Sequence, residues 1–232
     1  MTDLHNKQIR TIVFDLDGTL VDSNDIKRGG FEVALEGNLP ARALLHDILK
    51  KNPSLDRTGV FLEIGKQLFD DNVIQRKRWV NSMVCAYTSY CEERVANAAE
   101  IAGADYILDA LADHGIISFI SSATPEQTLR NIVRKRHWVS KVQGIFGAPT
   151  SKEEHLIRIQ REVRCKKDAI LYVGDSKSDM DAAHRFGCLF AGVGSGWRDL
   201  VSLPDFWIEN LRDPRLLGAG IREIETDSDC SQ

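Results

Sequence analysis

The sequence predicts an α/β fold: a core built on a parallel sheet, with an all-helical cap inserted after the first strand. Three observations predict it. A short apolar segment, residues 9–14, ends abruptly at Asp15. Residues 22–100 carry only helix-like periodicity. From about residue 104 onward, apolar strand-like segments alternate with helical ones, which is the pattern of βαβ units and a parallel sheet.

The first strand and the cap come first along the chain. Residues 9–14 are apolar and β-branched, which is typical of a strand buried on both faces. The cap follows with helical periodicity and two prolines between segments. Its predicted helices cover residues 26–36, 41–51, 57–69 and 73–99.

The remaining elements complete a Rossmann-like sheet. The predicted strands are residues 116–120, 142–146, 170–173, 188–193 and 206–208. The predicted helices are residues 125–136, 152–163 and 178–186. We therefore predict a core formed by residues 1–21 and 104–232, and a cap formed by residues 22–103. Ligands of such sheets bind beyond the carboxyl ends of the strands, so the residues just after each strand are the functional candidates.

Composition narrows the classes of function. The chain has 232 residues and a formal net charge of −4, so it lacks the basic field of a nucleic-acid-binding protein. No segment reaches 18 consecutive apolar residues, so we expect no membrane span. The cysteines are odd in number and show no CxxC spacing: Cys85, Cys91, Cys165, Cys188 and Cys230. They do not indicate a disulfide framework, and we expect a cytoplasmic protein.

Two pairs of aspartates follow predicted strands. Asp15 and Asp17 are two residues apart at a strand end, so the alternation of a strand points both side chains the same way. Two close carboxylates repel each other unless a cation lies between them. Asp175 and Asp179 are four apart where the chain enters a helix. Carboxylates in such positions are suitable ligands for Mg²⁺, although either pair could also be a simple turn or helix start.

Two helix starts add groups that suit a phosphate. Ser122 follows a strand, and Thr124, Pro125 and Gln127 form a predicted capping box in which Thr124 is the N-cap. A hydroxyl and free backbone N–H groups at a helix start can bind phosphate. A second capping box begins at Ser151 and places Lys152 in a first helical turn. A cation is unfavourable there without a neighbouring anion, so Lys152 is a candidate for neutralising a phosphate and the acids together.

These residues resemble the motifs of the haloacid dehalogenase-like superfamily. The segment Asp15–Leu20 (DLDGTL) resembles its first motif, Ser122 its second, Lys152 its third and the segment 174–179 its fourth. The resemblance covers residues 9–212, and the inserted helices are similar to the cap of the phosphoglycolate phosphatase-like and β-phosphoglucomutase-like branch. It implies a Mg²⁺-dependent phosphotransferase that forms an aspartyl-phosphate.

The resemblance also implies roles for the residues. Asp15 is the expected nucleophile, and Asp17 the expected acid and then base. Asp17 also argues against dehalogenation, because the dehalogenases of this superfamily lack an acid there. The expected phosphate ligands are Thr19, Ser122 and Lys152. The expected metal ligands are Asp15, Asp17 (through its carbonyl oxygen), Asp175 and Asp179.

The cap is expected to select the substrate. Lys27 lies where members of this branch often carry a histidine, and Arg57 resembles a cap arginine that binds a substrate's far anionic group. Both could equally be ordinary solvated charges on helices. If Arg57 does bind substrate, a second anionic group on that substrate is implied.

The sequence thus predicts a phosphatase acting on a small phosphorylated metabolite, with Mg²⁺ as cofactor and no nucleic acid or membrane as partner. A sugar-phosphate mutase using the same aspartyl-phosphate is the alternative. A catalytically silent scaffold is less favoured, because none of the expected acids is missing. The oligomeric state, monomer or homodimer, stays open.

Overall fold

The fold is built on one parallel sheet. The computed structural model describes residues 9–52, 55–197 and 204–218. The strands are β1 (Thr11–Phe14), β2 (Ile117–Pro125), β3 (Gly144–Ala148), β4 (Ile170–Gly174), β5 (Leu189–Val193) and β6 (Phe206–Ile208). They lie in the order β3-β2-β1-β4-β5-β6, and each neighbouring pair is parallel. The predicted α/β fold class is confirmed.

Helices cover the sheet and form the insert. The insert contains α1 (Asn24–Ala34), α2 (Leu39–Lys51), α3 (Arg57–Phe69) and α4 (Val73–Asn97). The core contains α5 (Ala104–Asp113), α6 (Glu126–Val133), α7 (Lys152–Val163), α8 (Lys177–Phe186) and α9 (Arg215–Gly218). The described residues between β1 and α5 form no strand apart from isolated bridges, in line with a helical insert. The division at residues 21/22 and 103/104 stays a prediction.

Strand β1 is buried on both faces, as its composition predicts. Ile12 and Phe14 belong to one apolar cluster, which also includes cap residues, and Val13 belongs to a second cluster on the opposite face. The alternation of side chains along a strand explains this division. With helices on both faces of the sheet, a continuous apolar run is the sequence expected for a central strand.

The strand order reverses at β1. From β1 the chain proceeds to β2 and β3 on one side of the sheet, and later to β4, β5 and β6 on the other. A crevice forms at such a switch point, beyond the carboxyl ends of the strands. The residues that follow β1, β2 and β4 therefore converge there, and these are the positions of the candidate motifs.

An aromatic cluster holds the cap helices together. Phe31 of α1 lies 5.4 Å from Phe61 of α3 and 4.7 Å from Tyr87 of α4, measured between ring centroids. Trp79 contacts Phe61 edge-on at 6.3 Å. Such tilted and edge-on pairs stabilise a helical core beyond their buried area, by about 0.5–1.5 kcal/mol each. Phe31, Phe61 and Tyr87 belong to the same apolar cluster as Ile12 and Phe14 of β1, so the interior of the cap is continuous with one face of the sheet.

Two adjacent segments connect the cap to the core. The Asp22 N–H donates to the Ala99 carbonyl at 2.9 Å, and the Ile101 N–H donates to the Leu20 carbonyl at 3.1 Å. The entering and leaving chains therefore run side by side. Gly103 precedes α5 with φ +91°, and a Cβ there would lie 2.7 Å from the backbone nitrogen of Arg212. Both its φ and this close approach require glycine.

Several predicted boundaries are wrong by two or three residues. Helix α2 begins at Leu39 instead of residue 41, because Asn38 caps it and a proline is tolerated in the first turn. Helix α1 covers Asn24–Ala34 instead of 26–36, and β3 covers Gly144–Ala148 instead of 142–146. Helix α5 lies outside the predicted set. Helix α6 begins at Glu126 and ends at Val133 instead of covering 125–136.

Two further predictions concern membranes and cysteines. Among the described helices, none is both long enough and apolar enough to cross a bilayer. Cys85, Cys91, Cys165 and Cys188 are free thiols. The fifth cysteine, Cys230, lies outside the described residues.

Candidate active site

Three carboxyl groups meet at the carboxyl edge of the sheet: those of Asp15 and Asp179 are buried, and that of Asp175 is partly buried. Asp15 directly follows β1, Asp175 directly follows β4, and Asp179 lies in the first turn of α8. One carboxylate oxygen from each lies within 4.8 Å of the others. Gly18 has φ +76°, and a Cβ there would overlap the Asp175 carboxylate. The Asp17-Gly18 turn therefore allows the ends of β1 and β4 to approach each other.

Asp179 is held in place from two sides. Its backbone and carboxylate form a capping box with Ser176, the N-cap of α8. Its other oxygen, Oδ1, accepts from Lys152 Nζ at 2.5 Å. A Cβ on Gly174 would lie 2.5 Å from the Asp179 carboxyl carbon, so glycine at the end of β4 makes room for this acid. The Asp179 side chain is fully buried.

Lys152 joins the acids. Its ammonium lies 3.2 Å from Asp15 Oδ1, besides its contact with Asp179. The Ser151–Glu154 capping box is present and starts α7 at Lys152, as the sequence predicts. Burial alone would lower the pKa of Lys152, but Asp15 and Asp179 outweigh burial and raise it well above its usual value. Lys152 is therefore a fixed cation in the site.

Within the ranges that the structure describes, the three carboxyl groups of the cluster have only Lys152 as a cation within ion-pair distance. Burial raises the pKa of Asp15 well above its usual value; Lys152 opposes this rise, and Asp179 and Asp175 add to it. Burial and Asp179 raise the pKa of Asp175 to about 6. Close carboxylates behave this way when no further cation lies between them. The donor atoms are all carboxylate oxygens, which are hard ligands, so the cluster fits Mg²⁺.

Asp17 lies apart from the three-carboxylate cluster and faces the cap. Its carboxylate accepts from Ser23 at 2.7 Å and from Thr124 at 3.2 Å, and lies 3.0 Å from Lys27 Nζ. Burial alone would raise the pKa of Asp17, but Lys27 and the Ser23 hydrogen bond outweigh burial and lower it. Asp15 and Asp17 line the same cavity, although β1 ends at Phe14 and both acids lie in the segment that follows it.

The segment after Ser121 differs from the prediction. Ser122 is buried, lines the cavity, and accepts from the Thr124 N–H at 3.1 Å. The predicted N-cap role of Thr124 is wrong, because β2 continues to Pro125, which pairs with Ala148 after a register irregularity. The Thr124 hydroxyl instead accepts from Lys27 at 2.9 Å and donates to Asp17.

Thr19 occupies a different environment from the other predicted phosphate ligands. Its side chain is fully buried, its hydroxyl has no hydrogen-bond partner among the described residues, and it is not among the residues that line the cavity. Its role in binding phosphate stays a prediction.

The cap supplies two cations to the same cavity. Lys27 of α1 contacts Asp17 and Thr124, as described above. Arg57 of α3 is 8% exposed and donates to Thr124 at 3.2 Å and to Thr88 at 3.4 Å. Its guanidinium carbon lies 4.9 Å from the centre of the Tyr87 ring. Neither cap residue is an ordinary solvated charge.

Residues of the core and of the cap together line a solvent-open cavity of about 230 Å³. Its lining includes residues that sequence reasoning did not single out as site residues, among them Asn24, Tyr87 and Thr124. Asn24 donates to Asp175 at 2.7 Å. Nothing in the sequence marks Asn24 or Tyr87, because each depends on how the cap helices lie over the sheet. Thr124 carried a pattern, the capping box, that suggested another role.

The chain is similar to known proteins in sequence and in fold. The chain is 25% identical over 227 residues to a phosphoglycolate phosphatase of Photorhabdus laumondii subsp. laumondii, covering 89% of this chain and 91% of that protein. It is 26% identical over 225 residues to one of Mannheimia succiniciproducens, covering 90% and 97%. The fold also matches CbbY of Rhodobacter sphaeroides, solved in complex with phosphate, with a TM-score of 0.72, 15% identity and coverage of 92% and 100%.

The family predicted from the four motifs is confirmed independently of these pairwise similarities. The family model described as "Haloacid dehalogenase-like hydrolase" matches residues 12–193. This range begins within β1 and ends with β5, and so includes every candidate motif and the whole cap. The chain therefore belongs to the haloacid dehalogenase-like hydrolase family.

Proposed function

We propose that the protein is a Mg²⁺-dependent phosphatase that hydrolyses a small phosphorylated metabolite through an aspartyl-phosphate on Asp15. The hydrolase class follows from the family, and the two curated relatives described above are named phosphatases. One observation carries the proposal: Asp15, Asp17, Lys152 and Asp175 all line one small cavity. That set combines a nucleophile, an acid–base group and charge compensation.

Asp15 is the proposed nucleophile. In the first step its carboxylate oxygen bonds to phosphorus while the bond from phosphorus to the substrate oxygen breaks. Lys152, 3.2 Å from Asp15 Oδ1, offsets the repulsion between this carboxylate and the phosphoryl oxygens. Ser122 lines the same cavity, and its hydroxyl is positioned to bind a phosphoryl oxygen.

Mg²⁺ is the proposed cofactor, and Asp15, Asp175 and Asp179 form the acidic cluster that would hold it. When bound, Mg²⁺ neutralises charge between the nucleophile and the phosphoryl group. Asp179 already binds Lys152 and Ser176. We therefore propose that Asp179 acts chiefly by orienting Lys152, and that Asp15 and Asp175 offer the freer oxygens. The carbonyl oxygen of Asp17 is a further proposed ligand.

Asp17 is the proposed acid and base. It gives a proton to the departing substrate oxygen, then takes a proton from the water that attacks phosphorus and releases Asp15. Lys27, 3.0 Å away, favours the ionised form of Asp17, which is the form that the second step needs. The first step needs the protonated form. A substrate anion that binds Lys27 would weaken its hold on Asp17 and favour that protonation.

The two cap cations suggest the substrate class. Arg57 is buried and forms no ion pair with a carboxylate in the described part of the chain, where its hydrogen bonds go to hydroxyls. A buried guanidinium without a carboxylate is suited to an anionic group of a ligand. We propose a small phosphorylated carboxylate, of which 2-phosphoglycolate is the example suggested by the names of the relatives. A cavity of about 230 Å³ fits such a small molecule.

Phosphate release from a panel of phosphomonoesters, with Mg²⁺ or with a chelator, tests the proposal. We expect Mg²⁺-dependent release that Asp15→Asn abolishes, because an amide cannot form the aspartyl-phosphate. Asp181→Asn is the matched control: Asp181 pairs with Lys177 on the surface of α8 and lies outside the cavity lining.

Three results would contradict the proposal. Phosphate release that does not need Mg²⁺ would show that Mg²⁺ is not the cofactor. Phosphate release by Asp15→Asn would show that Asp15 is not the nucleophile. Turnover of a bisphosphate without net phosphate release would instead support the mutase.

A further inference from the structure

A buried hydrogen-bonded network lies behind the proposed phosphate-binding groups. His155 of α7 is fully buried, with its Nδ1 2.9 Å from the Ser121 hydroxyl and its Nε2 3.2 Å from the Gly147 carbonyl oxygen. Tyr172 of β4 donates its hydroxyl to the Ser121 carbonyl at 2.9 Å. The network therefore links β2, β3, β4 and α7. The proposed mechanism uses none of its members.

The partners determine the tautomer of His155. A carbonyl oxygen only accepts hydrogen bonds, so Nε2 must carry the ring proton that goes to Gly147. Nδ1 is then a bare acceptor, and the Ser121 hydroxyl donates to it. Burial lowers the pKa of His155 to about 4, so the ring is neutral at physiological pH. Both ring nitrogens and the Ser121 hydroxyl are satisfied in this one arrangement.

The network lies next to two proposed phosphate ligands. Lys152 is three residues before His155, so the two side chains lie on the same side of α7. Ser121 directly precedes Ser122. The Ser121 hydroxyl is hydrogen-bonded to His155, and the Ser121 carbonyl accepts from Tyr172. Fixing His155 thus fixes the first turn of α7, from which Lys152 reaches Asp15 and Asp179.

From this geometry we infer that His155 is a positioning residue: through Ser121 and Gly147 it holds the first turn of α7 so that Lys152 meets the transferring phosphoryl group. The inference rests on the proposed function. Ser121 and His155 are not a nucleophile and base, because Ser121 and His155 are both fully buried and neither lines the cavity. The role of His155 is to fix geometry, and a displacement of about 1 Å at a reacting group can cost about 100-fold in rate.

Steady-state kinetics of His155 variants test the inference. His155→Phe keeps an aromatic ring but leaves Ser121 and Gly147 without their partner. We expect kcat for phosphate release to fall about 10- to 100-fold with KM changed by less than about threefold. His155→Gln can donate to Gly147 and accept from Ser121, so we expect it to restore most of kcat. All assays are run below the melting transition of the least stable variant.

Leu156→Ala is the matched control for a purely structural effect. Leu156 is the next residue of α7 and equally buried; it packs in the apolar cluster that also contains Tyr172, but its side chain has no polar atom and takes no part in the hydrogen bonds of the network. We expect it to lower Tm by at least as much as His155→Phe while kcat stays within about twofold of wild type. A loss of kcat in His155→Phe no greater than in Leu156→Ala would overturn the inference. Should His155→Phe fail to fold, Ser121→Ala breaks the same hydrogen bond, and unchanged kcat there would overturn it too.

A second measurement separates this inference from the proposed function. Nitrogen NMR of labelled histidine should find His155 protonated at Nε2 and bare at Nδ1, with the Nδ1 resonance shifted in Ser121→Ala. A ring protonated at Nδ1 would overturn the inference whatever the activity. A wild-type protein that releases no phosphate would overturn the proposed function. An active wild type whose His155 variants are unaffected would overturn the inference alone.

Discussion

The two faces of the cavity are built differently. The core face presents Asp15, Asp17 and Asp175 with one cation, Lys152. Lys152 finds its partners, Asp15 and Asp179, within the core. The cap face presents Lys27 and Arg57. Both donate to core oxygen atoms, Lys27 to Asp17 and Thr124 and Arg57 to Thr124, and Arg57 donates in addition to Thr88 of the cap.

We propose that this difference separates chemistry, on the core face, from substrate selection, on the cap face. Lys152 and Asp179 are positioned by the capping boxes of two core helices, whereas Asp17 and Asp175 also accept hydrogen bonds from the cap residues Ser23 and Asn24. The cap cations instead bind groups that a substrate could displace. Changes on the core face should therefore act on kcat and on metal binding, and changes on the cap face should act mainly on KM.

The largest effect is expected from Lys152→Met. This change removes the cation beside Asp15, so kcat for phosphate release should fall by about 10²- to 10³-fold, as for loss of one group that stabilises transition-state charge. Lys177→Met is the control, because Lys177 pairs with Asp181 at an exposed position. A fall in kcat of less than about threefold would show that catalysis on the core face does not depend on Lys152.

Arg57→Ala tests the cap face. Losing a charge-assisted hydrogen bond worth about 1.5–3 kcal/mol should raise KM for a phosphorylated carboxylate by about 10- to 100-fold, with little change in kcat. Phosphomonoesters without a second anionic group should be affected much less. Arg42→Ala, in the exposed pair with Glu32 of the cap, is the control. Equal effects on both kinds of substrate would break the proposed division between the faces.

Mg²⁺ should stabilise the folded protein through the core acids. At a concentration of about 100 times its Kd, a ligand that binds only the folded state adds about 2.7 kcal/mol, or about 5–10 °C in Tm for a chain of this size. Because protons compete for Asp175, whose pKa is about 6, and for Asp15, the rise should be larger at pH 8 than at pH 5.

Thermal unfolding with and without Mg²⁺ measures that rise. Asp175→Asn should abolish it, and Asp181→Asn should leave it intact. A rise that is the same at both pH values, or that survives in Asp175→Asn, would mean that the ion binds elsewhere.

The smallest effect concerns the network beneath the core face. The pKa of His155 is about 4 in the folded protein against about 6.5 when unfolded. The unfolded chain therefore binds more protons between these values, and stability falls as pH drops through that window. Between pH 7 and pH 5 this amounts to about 2 kcal/mol.

Urea unfolding of wild type and His155→Gln at both pH values measures this contribution. Between pH 7 and pH 5, the free energy of unfolding should fall by about 2 kcal/mol less in His155→Gln than in wild type, because glutamine does not titrate. His114→Gln, at an exposed helix end, should behave like wild type. A wild-type and a His155→Gln protein with equal pH dependence would contradict a buried, neutral His155.

The sequence by itself determined which residues meet at the edge of the sheet. An apolar strand followed by Asp15, a strand followed by Asp175, and a capping box before Lys152 are local patterns, since strand alternation and helix capping involve neighbouring residues only. Parallel strands then bring their carboxyl ends to one edge, so the order of the motifs along the chain sufficed to predict the acids, Lys152 and Ser122 in one site.

Only the tertiary structure decided the remaining contacts. Local capping chemistry favoured Thr124 as a helix N-cap, but pairing of Pro125 with Ala148 extended β2 and turned that hydroxyl toward Asp17 and Lys27. Arg57 reaches the cavity because α3 packs against α2 and α4 in a way that brings its first residue to Thr124 of β2. Such contacts join residues far apart in sequence, and their geometry depends on how whole elements pack. No local pattern of residues contains that information.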